Sequence, residues 1–315
     1  MKPLRIVILG GTGFVGHALV ERLVADGHKI TVLSRNSATH LDRQLPPGAD
    51  IRDCDVYSTD ALALALRTAN AQVAINLVGI LNESGRWGRG FRRAHVELTQ
   101  ALVAACQQAG ATRLLQMSAL NAGRGRSHYL ATRGEAEALV KASTLAWTIF
   151  QPSVIFGPGD GLFCRFAGLL NLLPMLPLAR AHAKFAPVFV GDVVDAFARA
   201  LHDPSSIGQT YELYGPDVYT LKQLVQMTAR RLGLRRTIIA LPDALGRLQG
   251  LLFDFVPGKP FSSDNFRSLQ TDSVGGIDGL HRLGIEPTPV AAELPDILGH
   301  DDDRQARLDR YRARY

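Results

Sequence analysis

Three residues near the middle of the chain have types and a spacing suited to proton chemistry. Tyr129 stands four residues before Arg133 in YLATRGEAEALVKA, and Ser118 lies near the end of the apolar run RLLQMSA. Residues four apart on a helix share one face, so the phenol and the guanidinium can reach one cleft. A cation fixed beside a phenol favours its ionised form and makes it a usable acid or base near neutral pH. A serine hydroxyl holds a substrate carbonyl or hydroxyl by hydrogen bonding. Such spacings arise often by chance, so their meaning rests on the elements that position them.

The first of those elements is RIVILGGTGFVGHALVERLVADG, Arg5 to Gly27. Ile6 to Leu9 read as a strand buried on both faces of a parallel sheet. Leu19, Val20, Leu23 and Val24 recur at helical spacing, and Gly27 falls where a left-handed helix cap is expected. Between strand and helix the glycines are spaced Gly10-x-x-Gly13-x-x-Gly16. The first permits a tight turn, the second lets backbone approach a pyrophosphate, and the third lets helix and strand pack closely. The helix N-terminus offers unpaired N–H groups to the phosphates. A second strand, Lys29 to Leu33, follows and ends at Ser34-Arg35. An NAD site would carry an acid near there for the ribose 2′-hydroxyl. Arg35 suits a 2′-phosphate instead, which favours NADP(H) over NAD(H).

The rhythm continues with a strand in AQVAINLVGIL (71–81), a helix over 94–109 ending at Gly110, and a strand over 113–119. Alternation of this kind specifies an α/β fold, a Rossmann doubly wound parallel sheet, with ligands at the carboxyl ends of the strands. We expect a dinucleotide-binding core over 1–156 and a smaller substrate lobe over 157–300. Within that lobe 187–215 should return to the core, and a charged tail occupies 301–315.

Composition narrows the function. The chain has 315 residues, 46 % hydrophobic and 20 % charged, with a net charge of +6. That balance suits anionic small molecules or an acidic membrane surface. With no long basic run and no basic stretch interleaved with aromatics, nucleic acid is not an expected partner. Three scattered cysteines, Cys54, Cys106 and Cys164, suggest neither a disulfide framework nor zinc, and no HxxxH or HExxH spacing points to a metal. A cytoplasmic location is expected, with peripheral contact to the inner membrane as a variant. The N-terminal apolar run is too short for a signal peptide, and Leu162–Ala179 is broken by Arg165, Pro174 and Pro177. That stretch and Thr237–Gly258 read first as the packed face of the lobe. A second reading is a wall for a lipid-like substrate or a membrane. Arg86, Arg89, Arg92 and Arg93 read first as a solvated helix start and second as contacts to phosphate, an acidic partner or anionic lipid.

These residues together resemble the extended, atypical short-chain dehydrogenases/reductases of the NAD-dependent epimerase/dehydratase type. Within them they are similar to bacterial relatives of the NADPH-binding accessory subunit of mitochondrial complex I. The motifs are GGTGFVG, RDCDV, NLVGIL, HVELTQALVAACQQAG, LLQMSAL, YLATRGEAEALVKAS, WTIFQPSVIFGPGDG and PVFVGDVVDAFARAL. The resemblance implies that Gly10, Gly13 and Gly16 carry the pyrophosphate, with Thr12, Phe14 and Val15 lining the turn. It implies that Asp55 and Val56 meet the adenine and that Leu77, Val78 and Gly79 pass the ribose. Pro152, Ser153, Val154 and Ile155 would flank the nicotinamide, and Asp192 would be mainly structural. Ser118 and Tyr129 match the catalytic serine and tyrosine. The family's lysine is replaced by Arg133, which can anchor a ribose and activate a phenol but cannot readily release a proton. Two readings follow. One is an oxidoreductase or epimerase acting on a hydrophobic or quinone-related substrate, with Tyr129 as acid/base. The other is a non-catalytic NADP(H)-binding module that assembles, stabilises or reports redox state for a respiratory or quinone-biosynthetic complex.

Overall fold

The structure, a computed structural model, describes residues 2–35, 45–83, 87–256, 259 and 261–299. In chain order the first half reads β1 (Arg5–Leu9), α1 (Phe14–Ala25), β2 (Lys29–Ser34), β3 (Ala49–Asp53), α2 (Thr59–Thr68) and β4 (Val73–Asn76). Then come α3 (Arg89–Arg92), a π-helical turn (Arg93–Glu97), α4 (Leu98–Ala109), β5 (Arg113–Met117), α5 (His128–Lys141) and β6 (Ala146–Pro152). The chain next leaves the sheet through β7 (Ile155–Phe156), α6 (Phe163–Leu172), β8 (Met175–Leu178), β9 (Lys184–Phe185) and β10 (Val188–Phe189). It returns through α7 (Val190–His202) and β11 (Gln209–Leu213). It leaves again through β12 (Tyr219–Thr220), α8 (Leu221–Arg231), β13 (Thr237–Ala240), α9 (Asp243–Phe253), α10 (Ser263–Ser268), α11 (Gly279–Arg282) and α12 (Val290–Leu298).

Seven strands form one parallel sheet in the order β11-β6-β5-β4-β1-β2-β3. Strand residues point alternately to its two faces, and both faces are covered. Ile6, Ile8, Ile30 and Val32 pack with Leu19 and Leu23 of α1 and Phe197 of α7. Val7, Leu9 and Leu33 pack with Leu62 and Leu66 of α2 and Leu98 and Leu102 of α4. An ion pair between Arg22 and Asp195 joins α1 to α7. The doubly wound Rossmann sheet expected from the strand–helix alternation is the fold observed.

Local detail differs in one place. The helix expected from residue 94 starts at Arg89 and runs unbroken to Ala109 through the π turn. The strand expected within 71–81, running into a loop, is short, Val73–Asn76. There the Asn76 side chain takes over: its Oδ1 accepts the N–H of Val78 at 3.1 Å, which turns the chain out of the ladder. At the two ends of the sheet the conditions differ. β11 is covered by α11, with Gly279 against the Glu212 backbone and Arg282 donating to Gln209, whereas β3 is exposed or half-exposed along its length.

Candidate functional site

The expected site residues sit at the carboxyl ends of six neighbouring strands, β3, β2, β1, β4, β5 and β6. At the usual strand spacing that row spans about 24 Å.

The glycine loop leaves β1. Gly10 has φ +80°, a conformation that side chains rarely tolerate, and an ideal Cβ on it would lie 3.1 Å from the backbone of Leu77 and Val78. A Cβ on Gly16 would lie 2.1 Å from the Gly10 carbonyl, so α1 packs against the turn itself. Gly13 is the N-cap of α1 and no side chain caps that end. A Cβ there would meet only the Gly10 carbonyl, at 3.2 Å. The first turn of α1 carries no acid. These residues therefore fit a pyrophosphate: exposed backbone N–H groups, space beside Gly13, and no competing anion. Phe14 and Val15, half-buried, begin the helix.

At β5 and α5 the chemistry-bearing residues come together. Ser127 caps α5 by accepting the N–H of Leu130 at 3.1 Å. The Asp264 carboxylate of α10 accepts the N–H of His128 at 2.7 Å and of Tyr129 at 3.1 Å. The Arg133 guanidinium carbon lies 5.6 Å from the centre of the Tyr129 ring. Arg133 is buried, and its Nη1 donates to the carbonyls of Met117 at 3.0 Å and Val78 at 3.2 Å. Its Nε has no partner, and among the described residues no carboxylate pairs with it. Its Nη2 lies 1.9 Å from where a Cβ on Gly79 would stand, so the arginine requires glycine there.

Tyr129 is half-buried in an aromatic group with Phe91 and His95, whose ring centres lie 6.1 and 5.6 Å away. No described residue hydrogen-bonds its hydroxyl. His95 comes from the π turn, where the spacing of side chains is reset. Its Nε2 accepts the N–H of Ile80 at 3.3 Å, and its Nδ1 faces Thr132 Oγ1 at 2.9 Å. Thr132 Oγ1 itself donates to the carbonyls of His128 and Tyr129. This pattern fixes a neutral imidazole protonated at Nδ1. Burial, and after it the Arg133 charge, push its pKa down to about 2.

Ser118 is buried at the end of β5, and its Oγ donates to Glu137 Oε1 at 2.6 Å. Glu137 also receives Gln151 Nε2 at 2.6 Å and Lys141 Nζ at 3.0 Å. Sequence reasoning missed Glu137, His95 and Asn76 as supports. Asn76 binds Gln116 and Thr99 beneath the β4 loop.

At the β2–β3 end a pocket of about 420 Å³ is lined by Arg35, Asp53, Cys54, Asp55, Tyr57 and Arg93. Val56 is buried beneath it, and Asp55 Oδ1 accepts the N–H of Tyr57 at 3.0 Å. The Arg93 guanidinium stacks over the Tyr57 ring at 4.4 Å. Arg93 is exposed, as the solvated-run reading expects, and with Arg35 it lines this pocket. Arg89 and Arg92 are exposed, Arg92 beside Glu135 at 2.6 Å, and Arg86 lies outside the described residues, as does the 301–315 tail.

The β6 end is structurally engaged. Pro152 closes the strand, and its carbonyl accepts the N–H of Leu120. Ser153 Oγ donates to the Ser273 carbonyl at 2.8 Å, so its hydroxyl ties down the 271–273 segment. Val154 and Ile155 lead into β7, which pairs with β10. Asp192 is buried, and its carboxylate accepts both the N–H and Oγ1 of Thr288. Desolvation raises its pKa against those two bonds. No group of three metal-ligating side chains occurs among the described residues.

Comparison with known proteins agrees with this fold. Residues 10–161 match the NAD(P)H-binding family. The chain is 30% identical over 303 residues to NADH dehydrogenase [ubiquinone] 1 alpha subcomplex subunit 9 of Arabidopsis thaliana, covering 90% of this chain and 73% of that protein. It is 27% identical to the ceramide reductase of Caulobacter vibrioides, over 98% of this chain and 94% of that one. In fold it is similar to the dTDP-glucose 4,6-dehydratase DesIV of Streptomyces venezuelae, with a TM-score of 0.73 at 18% identity, covering 94% and 96% of the two chains. With a glycine-turned Rossmann sheet and these relatives in view, the chain belongs to the extended short-chain dehydrogenase/reductase family, among the NAD(P)-binding proteins related to the complex I alpha subcomplex subunit 9.

Proposed function

We propose that the protein is an NADP(H)-dependent oxidoreductase acting on a carbonyl or hydroxyl group of a lipid-like substrate. The observation that carries the cofactor choice is the convergence of Arg35 and Arg93 on one pocket at the end of β2. Two guanidiniums suit a 2′-phosphate, and stacking on Tyr57 holds one of them in place. Asp53 and Asp55 in the same pocket offer acceptors for an adenine amine. The substrate class is supported by the ceramide reductase relative, which matches this chain nearly end to end.

Bound NADPH would supply a hydride. Tyr129, its hydroxyl without a partner among the described residues, would give a proton to the substrate oxygen. Arg133 holds positive charge beside that phenol and would anchor the ribose of a bound cofactor. Ser118 has committed its own proton to Glu137 and so presents an acceptor, which would receive a hydrogen bond from the alcohol product or from a hydroxyl next to the carbonyl, not from the carbonyl itself.

The test is calorimetric titration with NADPH, NADP⁺, NADH and NAD⁺. NADP(H) is expected to bind more tightly than NAD(H). Arg35→Ala should cost about 1.5–3 kcal/mol of NADPH binding, the value of hydrogen bonds to a charged group, and leave NADH unchanged. Equal affinity for the two cofactors would overturn the assignment.

A specific observation favours a second reading, a binding module in a larger complex. Arg133 Nη1 is spent on two backbone carbonyls, and the arginine makes no hydrogen bond to the Tyr129 hydroxyl. The Arabidopsis relative is named as a subunit of NADH dehydrogenase [ubiquinone]. Tyr129→Phe separates the readings: an enzyme should lose about 10²- to 10⁴-fold in kcat on keto-lipids while keeping NADPH affinity. A wild-type protein that binds NADPH and turns over no keto-lipid would be the module.

A further inference from the structure

α9 is built the wrong way round for a helix that serves only its own core. The face it turns to the protein is glycine. A Cβ on Gly246 would lie 3.0 Å from the Phe266 ring and 3.1 Å from Ala179, and one on Gly250 would lie 3.2 Å from the backbone of Ser262 and Ser263. The face it turns outward is leucine: Leu245, Leu248, Leu251 and Leu252 are each at least half exposed, and Phe255 just beyond is 71 % exposed. Their spacing makes one continuous stripe, the part of an amphipathic helix that ordinarily faces inward.

The stripe has apolar neighbours. Gln249 Nε2 donates to the Pro177 carbonyl at 3.3 Å, which sets α9 beside β8. β8 pairs with β13, and Met175 and Ile239 of these strands are exposed, as are Leu172 and Leu173 at the end of α6. Isolated exposed leucines are ordinary, but a contiguous set of this size marks an interaction surface.

Charge decides the occupant. Arg247 lies on α9 and Lys259 just beyond it, Arg165 donates to the Lys259 carbonyl, and Arg235 and Arg236 immediately precede β13, with Arg236 donating to the Leu170 carbonyl of α6; the acids on α9 and at its end are Asp243 and Asp254. Both acids are already engaged, Asp243 with Arg180 and Asp254 with the N–H of Ser263. Leucine and phenylalanine rimmed by excess arginine and lysine are the composition of a surface that lies in the headgroup region of an anionic bilayer. No helix of the described residues is long and apolar enough to cross a membrane.

The surface is also joined to the site. The Lys259 carbonyl beyond α9 accepts Asn82 Nδ2 at 3.2 Å, on the loop that leaves β4. α10, against which α9 packs, contributes Asn265 to the Leu81 carbonyl and Asp264 to the N–H groups of His128 and Tyr129.

We propose that the outer face of α9, with the exposed ends of α6, β8 and β13, docks the protein on an anionic lipid bilayer. Docking requires neither cofactor nor turnover, so it stands or falls separately from the reaction proposed above.

The experiment is co-sedimentation of the full chain, without nucleotide, with vesicles of phosphatidylcholine and of equimolar phosphatidylcholine and phosphatidylglycerol. The wild type should bind the anionic vesicles more tightly, and added salt should weaken that binding. Leu248→Ser with Leu252→Ser should weaken it by about tenfold or more, since two inserted side chains are lost. These leucines are exposed, so far-UV circular dichroism, thermal midpoint and NADPH binding should be unchanged in the variant. Sedimentation velocity without lipid covers the rival occupant. A wild-type dimer that the double substitution converts to monomer would show that a second copy covers the face. That result, absence of binding to anionic vesicles, or equal binding by the variant would each overturn the proposal.

Discussion

At the scale of single residues, His95 shows how much of the site is support. Its imidazole must be neutral, because Nε2 already accepts an N–H and Arg133 is close by. In the unfolded chain a histidine titrates near 6.5. Above that pH neither state holds the extra proton and the full stability is present. Below it the unfolded chain gains a proton that the folded protein refuses until about pH 2. Stability should therefore fall by up to about 1.4 kcal/mol per pH unit from pH 6.5 downward. Urea midpoints measured between pH 7 and 5 should show this slope. His95→Gln keeps one donor and one acceptor and should flatten it. His28, whose pKa is also lowered by burial and then by His202, should leave a residual slope of the same sign.

The interplay of elements is clearest where α5 meets the loop that follows β5. Gly134 sits inside α5, where alanine would be preferred by about 1 kcal/mol. A Cβ there would lie 2.4 Å from the Gly123 Cα and 2.6 Å from its nitrogen. Two backbones touch, and the contact holds α5, with Tyr129 and Arg133 on it, against the turn that follows Ser118. Gly134→Ala should therefore destabilise the protein by about 1–3 kcal/mol, as overpacking does, in spite of the better helix former. A thermal midpoint at or above that of the wild type would count against this account.

Gly134 also shows what could be read from the sequence. A glycine inside a helical pattern announces a close approach but not by what. The glycine loop, the strand–helix alternation around it and the Tyr129–Arg133 face were legible because each depends on residues within a few positions of one another. The supports were not. Glu137 meets Ser118 across 19 residues and Thr132 meets His95 across 37. A π turn, which no simple periodicity signals, aims His95 at its partner. For Arg93 the sequence left a solvated run and a phosphate contact both open, since a run of arginines reads the same in either setting.

Over the whole molecule the sheet sets the layout. The arginine-lined pocket lies at β2 and β3, the glycine loop at β1, Arg133 against the β4 loop, and Ser118 at β5. The lobe with α9 is built from segments that follow β6 and β11. The closing strand on one side is covered by α11. On the other side no described strand pairs with the outer edge of β3, whose sequence is ADIRD, three charges in five residues. An unpaired strand edge is a template on which another chain can extend the sheet. Charge at alternate positions makes that addition costly, and Arg52 stands 3.6 Å from Asp50 along this edge. Asp50→Val with Arg52→Val would leave the pairing with β2 in place and make the margin adhesive. Light scattering on gentle warming should then rise well before the protein unfolds, which makes the polar rim of β3 the feature that keeps a concentrated solution of this protein clear.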